Sequence, residues 1–221
     1  MRLLLAAAVA LFAAGPALAD ADVDVPLAPL TTAHWSVATG ETVSPSHDAL
    51  SFELGWPGVG VGSLHGLSDR ADMGEKFDLL YGDEGTNNTR VGMGLRVPLR
   101  LVTHRRDKLS IELHIEPGLR FYGSRDFEGS KFVIGFPVGA MLGIQATPEL
   151  RLAAAFDLQM GLVTTQGVHF EVGPQFGFAA EYFVDKQLLV GVDTRFGPLF
   201  FSGTTDALFA FRTQIVLGYR L

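Results

Sequence analysis

Few residues in the chain have types and spacing that resemble reaction chemistry, and the nearest approach is a histidine between two acids. His114 shares a strand face with Glu112 and Glu116, an arrangement in which a carboxylate can orient an imidazole as a base. A nucleophile would have to touch that imidazole. The one candidate, Ser110, stands four residues away along the same strand, too far for contact. His169 and Glu171 form a weaker version of the pair, and His47, His65 and His104 are scattered through connections without metal-ligand spacing. Gly58-Val59-Gly60-Val61-Gly62 imitates a nucleotide-binding glycine loop, but that fingerprint requires a following helix and a later acidic partner, and no helix follows. Asn87-Asn88-Thr89 matches a glycosylation sequon, a three-residue pattern too short to carry weight by itself. No catalytic, metal or cofactor residue is assigned on these grounds, and no cofactor is expected.

Strands are the elements that must position these groups. From Lys108 to Tyr122, Leu109, Ile111, Leu113, Ile115, Pro117, Leu119 and Phe121 alternate with Lys108, Ser110, Glu112, His114, Glu116, Gly118 and Arg120. Side chains two apart share a strand face, so one face is apolar and the other is charged, polar or glycine. The pattern recurs where Val91, Met93, Leu95, Val97, Leu99 and Leu101 oppose Arg90, Arg96 and Arg100. It returns in Leu150–Met160 against Arg151 and Asp157, in Val168–Tyr182 against Glu171 and Glu181, in Val190–Phe196 against Asp193 and Arg195, and in Phe209–Leu221 against Arg212 and Arg220. After the N-terminus no segment reaches 18 consecutive apolar residues, which rules out a helical membrane protein.

Tight connections (Leu67–Arg70, His104–Asp107, Ala146–Pro148, Val184–Lys186) alternate with looser ones (Gly82–Thr89, Gly123–Ser130, Thr164–Gly167, Ser202–Asp206). That is the rhythm of periplasmic turns and extracellular loops. Counting back from a C-terminus on the tight-turn side gives nine strands from Leu50, and an even number requires one more, supplied by His34–Thr39. The expected fold is therefore all-β, a closed antiparallel up-and-down transmembrane β-barrel of about ten strands, with eight as the alternative. At Trp56-Pro57-Gly58 the alternation changes phase, as a β-bulge within one strand would make it.

A secreted lipocalin-like barrel has the same alternation with its apolar face inside. Large aromatic apolar faces, glycine concentrated on the polar face and aromatic residues near strand ends favour the membrane orientation. The polar face then lines a narrow lumen in which acids and bases pair, with Arg96, Arg100, Glu112, His114, Glu116, Arg120, Asp157, Glu171, Asp193 and Arg195 as the expected charge network. Across the turn at His104–Asp107, charge matching predicts Arg100 opposite Glu112 and Arg96 opposite Glu116.

Arg2, the apolar run Leu3–Ala14 and Ala17-Leu18-Ala19 have the parts of a secretory signal peptide, which places the mature N-terminus at Asp20 and the barrel domain over residues 20–221. The chain has no cysteine, so disulfides and thiolate metal sites are excluded. The formal charge of −7 becomes −8 when Arg2 is removed, and this argues against nucleic acid as a partner.

The signal, the alternating strands and the ending Ile215-Val216-Leu217-Gly218-Tyr219-Arg220-Leu221 resemble small bacterial outer-membrane β-barrel proteins. In that class the last strand is read by the outer-membrane assembly machinery and usually ends in an aromatic residue, where this chain has Leu221. The resemblance implies a location in the cell outer membrane, with outer-membrane lipids and the assembly machinery as partners. It carries no particular activity. The expected role is a barrel with a salt-bridged polar lumen, structural or a small-solute or ion pathway. The alternatives are an outer-membrane hydrolase, a surface recognition or adhesion barrel and the secreted lipocalin-like barrel.

Overall fold

A computed structural model describes residues 35–84, 88–123, 129–165, 167–203 and 207–221. The signal segment with Asp20, His34, Asn87 and much of the looser connections lie outside the described residues. Thirteen strands follow in order: β1 (Asp48–Trp56), β2 (Gly58–Gly66), β3 (Ala71–Asp83), β4 (Asn88–Arg96), β5 (Leu99–Arg106), β6 (Leu109–Ile115), β7 (Gly118–Tyr122), β8 (Lys131–Gly135), β9 (Val138–Gln145), β10 (Leu150–Thr164), β11 (Val168–Phe183), β12 (Leu188–Phe201) and β13 (Ala207–Arg220). Each of β4/β5, β6/β7 and β8/β9 is one wall strand interrupted at Pro98, Pro117 or Pro137. A proline cannot donate to the ladder, yet its carbonyl still accepts: Gly74, Val97 and Glu116 donate their N–H groups to Pro98, Pro117 and Pro137 at 2.9, 2.9 and 3.0 Å. The register runs on unchanged through each break, from Arg96↔Gly118 to Leu99↔Ile115 and from Gly118↔Gly135 to Ile115↔Val138.

Counted this way there are ten wall strands, each antiparallel to its neighbours, and β13 pairs with β1 from Ala49↔Arg220 to Trp56↔Thr213 to close the ring. Closure leaves no unpaired sheet edge. The fold class is as expected, but the tenth strand is not His34–Thr39. Residues 35–47 form no strand, and Trp35 to Val43 lie inside the barrel, almost wholly buried. The missing strand comes from Trp56-Pro57, which is a two-residue hairpin turn between β1 and β2 (Gly55↔Gly58) and not a bulge. Such a turn pairs even with odd numbers, so it produces the same change of phase as a bulge.

The wall has two unlike faces. Leu50, Phe52, Leu54, Leu79, Val91, Leu113, Phe156, Phe176, Phe178, Phe209 and Ile215 point outward and are exposed, while Glu53, Asp72, Asp78, Arg100, Glu112, Glu171, Glu181 and Arg195 point inward and are buried. The inverted, lipocalin-like orientation is thereby excluded. Inside, three zones stack along the axis. At the tight-turn end Trp35, Val37 and Val43 pack with Ala49, Leu64, Phe183, Leu189 and Val216. The charged residues occupy the middle, and Leu80, Tyr122, Val133, Val163 and Phe201 form an apolar cluster toward the loops.

The turn between β5 and β6 corrects the expected register. Asp107 and Lys108 make a two-residue turn, with Asp107 in the left-handed region at φ 50°, and a bulge lies between Val102 and His104. Arg100 therefore faces His114 and Arg96 faces Gly118, one step along the alternation from the positions that charge matching predicted. The bulge also turns Arg105 inward.

Leu113 is 46% exposed on the outer face and His114 is its neighbour on the inner one. Leu113→Arg is expected to cost about 2–4 kcal/mol, the range for a cation on the lipid face near the bilayer midplane. His114→Arg places a cation between Glu112 and Asp157 and should cost much less. Folding titrations into lipid vesicles give both numbers, and equal losses would mean that the faces are misassigned.

Candidate functional site

Among the described residues the barrel interior concentrates charged and polar side chains, and it does so by interleaving signs. On the β3 side, Arg96 donates to both oxygens of Asp78 at 2.7 Å and to Glu116 at 3.0 Å, and it lies 3.7 Å from Glu53. Glu53 in turn holds Lys76 at 2.6 Å. On the opposite side, His114 contacts Asp157 through Nε2 at 2.6 Å and lies 3.3 Å from Glu112 through Nδ1. Asp157 also accepts from Arg195 at 2.8 Å, Arg195 bonds Asp193, and Asp193 accepts from Arg212 at 3.2 Å. Gly139 sits beside this chain because a methyl group there would overlap the Asp157 carboxylate and the His114 ring.

Eight of the ten residues expected from the sequence thus lie in this middle zone: Arg96, Arg100, Glu112, His114, Glu116, Asp157, Asp193 and Arg195. Arg120 and Glu171 stand apart, nearer the loops, where Arg120 lies 3.3 Å from Glu84 and 3.4 Å from Glu171, below the Lys131–Asp83 pair at 2.7 Å. Asp72 was missed, although it is the chief partner of Arg100, at 2.5 and 2.8 Å, against 3.8 Å to Glu112. It occupies an even position of β3 with Lys76 and Asp78 and was therefore findable, but exposed Glu75 interrupts the apolar face that would have marked the strand. Glu41 and its partner Arg105 were missed because nothing in the sequence places residues 35–47 inside the bore.

The hydrolytic reading finds no support in this geometry. Both His114 ring nitrogens face carboxylates, and Ser110 donates to the Gly40 carbonyl at 2.6 Å while accepting from Arg151 at 2.9 Å. His169 turns to the Ser202 carbonyl at 3.1 Å and not to Glu171. Among the described residues no three histidine, cysteine or carboxylate side chains are grouped to hold a metal ion. Among the described residues, two cavities along the axis measure about 50 and 90 Å³, which is room for a few waters. Glu112 Oε2 and Arg212 Nε, neither hydrogen-bonded within the protein, belong to residues lining the larger one.

Below the ion pairs, Ser36–Val43 is held in the bore by wall side chains. Glu181 accepts from the Val37 and Ala38 amides at 2.9 and 2.8 Å and from the Thr39 hydroxyl, and Asp72 accepts from the Val43 amide at 2.7 Å. Arg100 donates to the Ser36 and Val37 carbonyls at 3.0 Å each. Gly40 turns the segment with φ 76°, a left-handed conformation that suits glycine.

No family model matches the chain, and no curated protein is similar to it in sequence. Solved structures similar to it include the following two. One is the outer membrane protease OmpT from Escherichia coli, at 9% identity and a TM-score of 0.48 over 86% of this chain and 100% of that one. The other is the Ralstonia pickettii toluene transporter TbuX, at 13% identity and a TM-score of 0.33 over 81% of this chain and 73% of that one. Neither likeness bears on the activity of this chain.

Removing one partner of a buried ion pair costs about 3–5 kcal/mol where the other charge is left stranded. Arg96 keeps Glu116 and Glu53, so Asp78→Ala is expected to cost less than that but clearly more than the loss of an exposed pair. Asp48 pairs with His65 at 2.8 Å across half-exposed side chains, and Asp48→Ala should cost no more than about 1 kcal/mol. Urea unfolding from vesicles compares the two directly.

Proposed function

We propose that this chain is an outer-membrane β-barrel whose lumen is closed at rest, acting as a membrane-embedded scaffold and not as a standing pore. The observation that carries this reading is the stacking inside the bore of the described residues: an interleaved ion-pair layer between two apolar clusters, where two axial cavities measure about 50 and 90 Å³. A conducting pore needs a continuous wet path lined by charges that solutes can reach, whereas here the charges are engaged with one another. Placement in the membrane is supported by the ring of exposed apolar side chains around a wall without edges, since a patch of that size on a soluble protein would be an aggregation liability. Lipids cover that ring, and the alternating apolar residues of β13 are the features through which the assembly machinery would take up the strand. Insertion into the outer membrane follows signal-peptide cleavage after Ala19.

Two measurements test this. Intact mass of the protein from outer-membrane fractions should correspond to a chain starting at Asp20, and recovery of the uncleaved chain in the inner membrane would refute the location. The refolded mature chain in a planar bilayer should give no sustained unitary currents. Steady openings in symmetric salt would overturn the closed-lumen reading and favour the ion pathway.

A further inference from the structure

At the tight-turn mouth of the barrel the wall treats Ser36–Val43 as a ligand. The segment joins no strand of the sheet, and its main chain is read group by group. Besides the carboxylate contacts of Glu181 and Asp72 and the Arg100 contacts to two carbonyls, Ser110 takes the Gly40 carbonyl at 2.6 Å and Arg151 the Thr39 carbonyl at 3.4 Å. These five wall side chains come from β3, β5, β6, β10 and β11, and all are more than nine-tenths buried. Burying such charged groups is costly unless each is satisfied, and here much of the satisfaction comes from a peptide backbone. The segment adds two specific features. Glu41 pairs with Arg105 and lies 3.9 Å from Arg151, while Trp35 seats edge-on against Phe183 and donates to the Lys186 carbonyl at 3.3 Å. Between them the side chains are small.

We propose that this mouth is a binding site for a short peptide main chain bearing one carboxylate, occupied in this structure by the chain's own Trp35–Val43 and open to exchange with such a peptide supplied in trans. The segment gives Trp35, Val37 and Val43 to the lower apolar cluster, but the ion-pair layer and the upper cluster close the bore without it, so this proposal and the closed-lumen reading can fail separately. A tethered occupant competes at an effective concentration in the millimolar range, so the intact chain should bind a free peptide poorly, and weakening the tethered copy should reveal the site.

The test uses the full mature chain refolded in detergent, with Trp56→Phe introduced so that Trp35 is the one remaining tryptophan of the two in the sequence. In this background Glu41→Lys places a third cation beside Arg105 and Arg151 without altering the wall. It is expected to expose Trp35 to acrylamide quenching. It should also bind a synthetic peptide of residues 35–43, labelled beyond its C-terminal end, at least about tenfold more tightly than the unaltered chain does by fluorescence anisotropy. Adding Glu181→Gln to the wall, or Glu41→Lys to the peptide, should abolish the gain. A folded Glu41→Lys chain in which Trp35 stays shielded would show an integral piece of core and overturn the proposal, as would an exposed Trp35 without peptide binding. If Glu41→Lys fails to fold, Trp35→Ala removes only the aromatic seat and undergoes the same titration, with tighter binding supporting the site and unchanged binding refuting it.

Discussion

A charge can be buried in a ten-stranded bore only where an opposite charge or a full set of hydrogen bonds meets it, and the interior of this barrel is organised by that condition. Every second residue of each wall strand must point inward, and the inward positions carry Glu53, Lys76, Asp78, Arg96, Arg100, Glu112, His114, Glu116, Asp157, Asp193, Arg195 and Arg212 at the middle level. Were these left unmatched, no amount of apolar contact outside could compensate, because the outer face gains its stability against lipid and not against the lumen. The glycines opposite them follow from the same condition. Gly139 leaves space for His114 and Asp157 to meet, and Gly177 leaves space for Arg195.

The condition also accounts for the segment in the lower bore. Below Arg100 and Asp72 many inward wall residues are small or apolar, with Ala49, Leu64, Ala153, Ala179 and Val216 beside the charged Arg105, Arg151 and Glu181. Small inward residues in a barrel of this width leave a space that must be filled to reach the packing density of a protein interior. Trp35, Val37 and Val43 fill it, while the amides and carbonyls between them satisfy the carboxylates and guanidinium groups that the ion-pair layer leaves on its lower side. The segment is thus apolar filling and hydrogen-bond complement together, which explains why its side chains are small apart from Trp35 and Glu41.

Alternation made most of the wall legible in the sequence, because period two in a half-buried strand is imposed by the pleat. It could not distinguish a bulge from a two-residue hairpin at Trp56-Pro57, since both change the parity of the outward residues and either yields strands of ordinary length. Nor could it reject Trp35 and Val37 as a strand: two alternating apolar residues satisfy the pattern by chance, and only the three-dimensional width of the bore shows that they are needed inside. The expected register across β5 and β6 assumed that charges must face each other directly. Arginine side chains reach diagonal neighbours as well, so Arg96 meets Glu116 at 3.0 Å from a position opposite Gly118, and the pairing left the register undetermined.

That reach resolves a conflict in the sheet itself. Lys76 stands directly opposite Arg96, and Arg195 directly opposite Arg212, two like-charge pairs that on their own would destabilise the strands they join. Each pair is bridged by a single carboxylate. Glu53 lies 2.6 Å from Lys76 and 3.7 Å from Arg96, while Asp193 bonds Arg195 and lies 3.2 Å from Arg212. Glu53 comes from β1, which β2 separates from Lys76 on β3, so that contact reaches across β2 and ties β1 to β3 and β4. Asp193 shares β12 with Arg195 and works along the strand as well as across it. Cross-strand repulsion is thereby converted into attraction between three groups, in a setting that salt screens far less than it does at the surface.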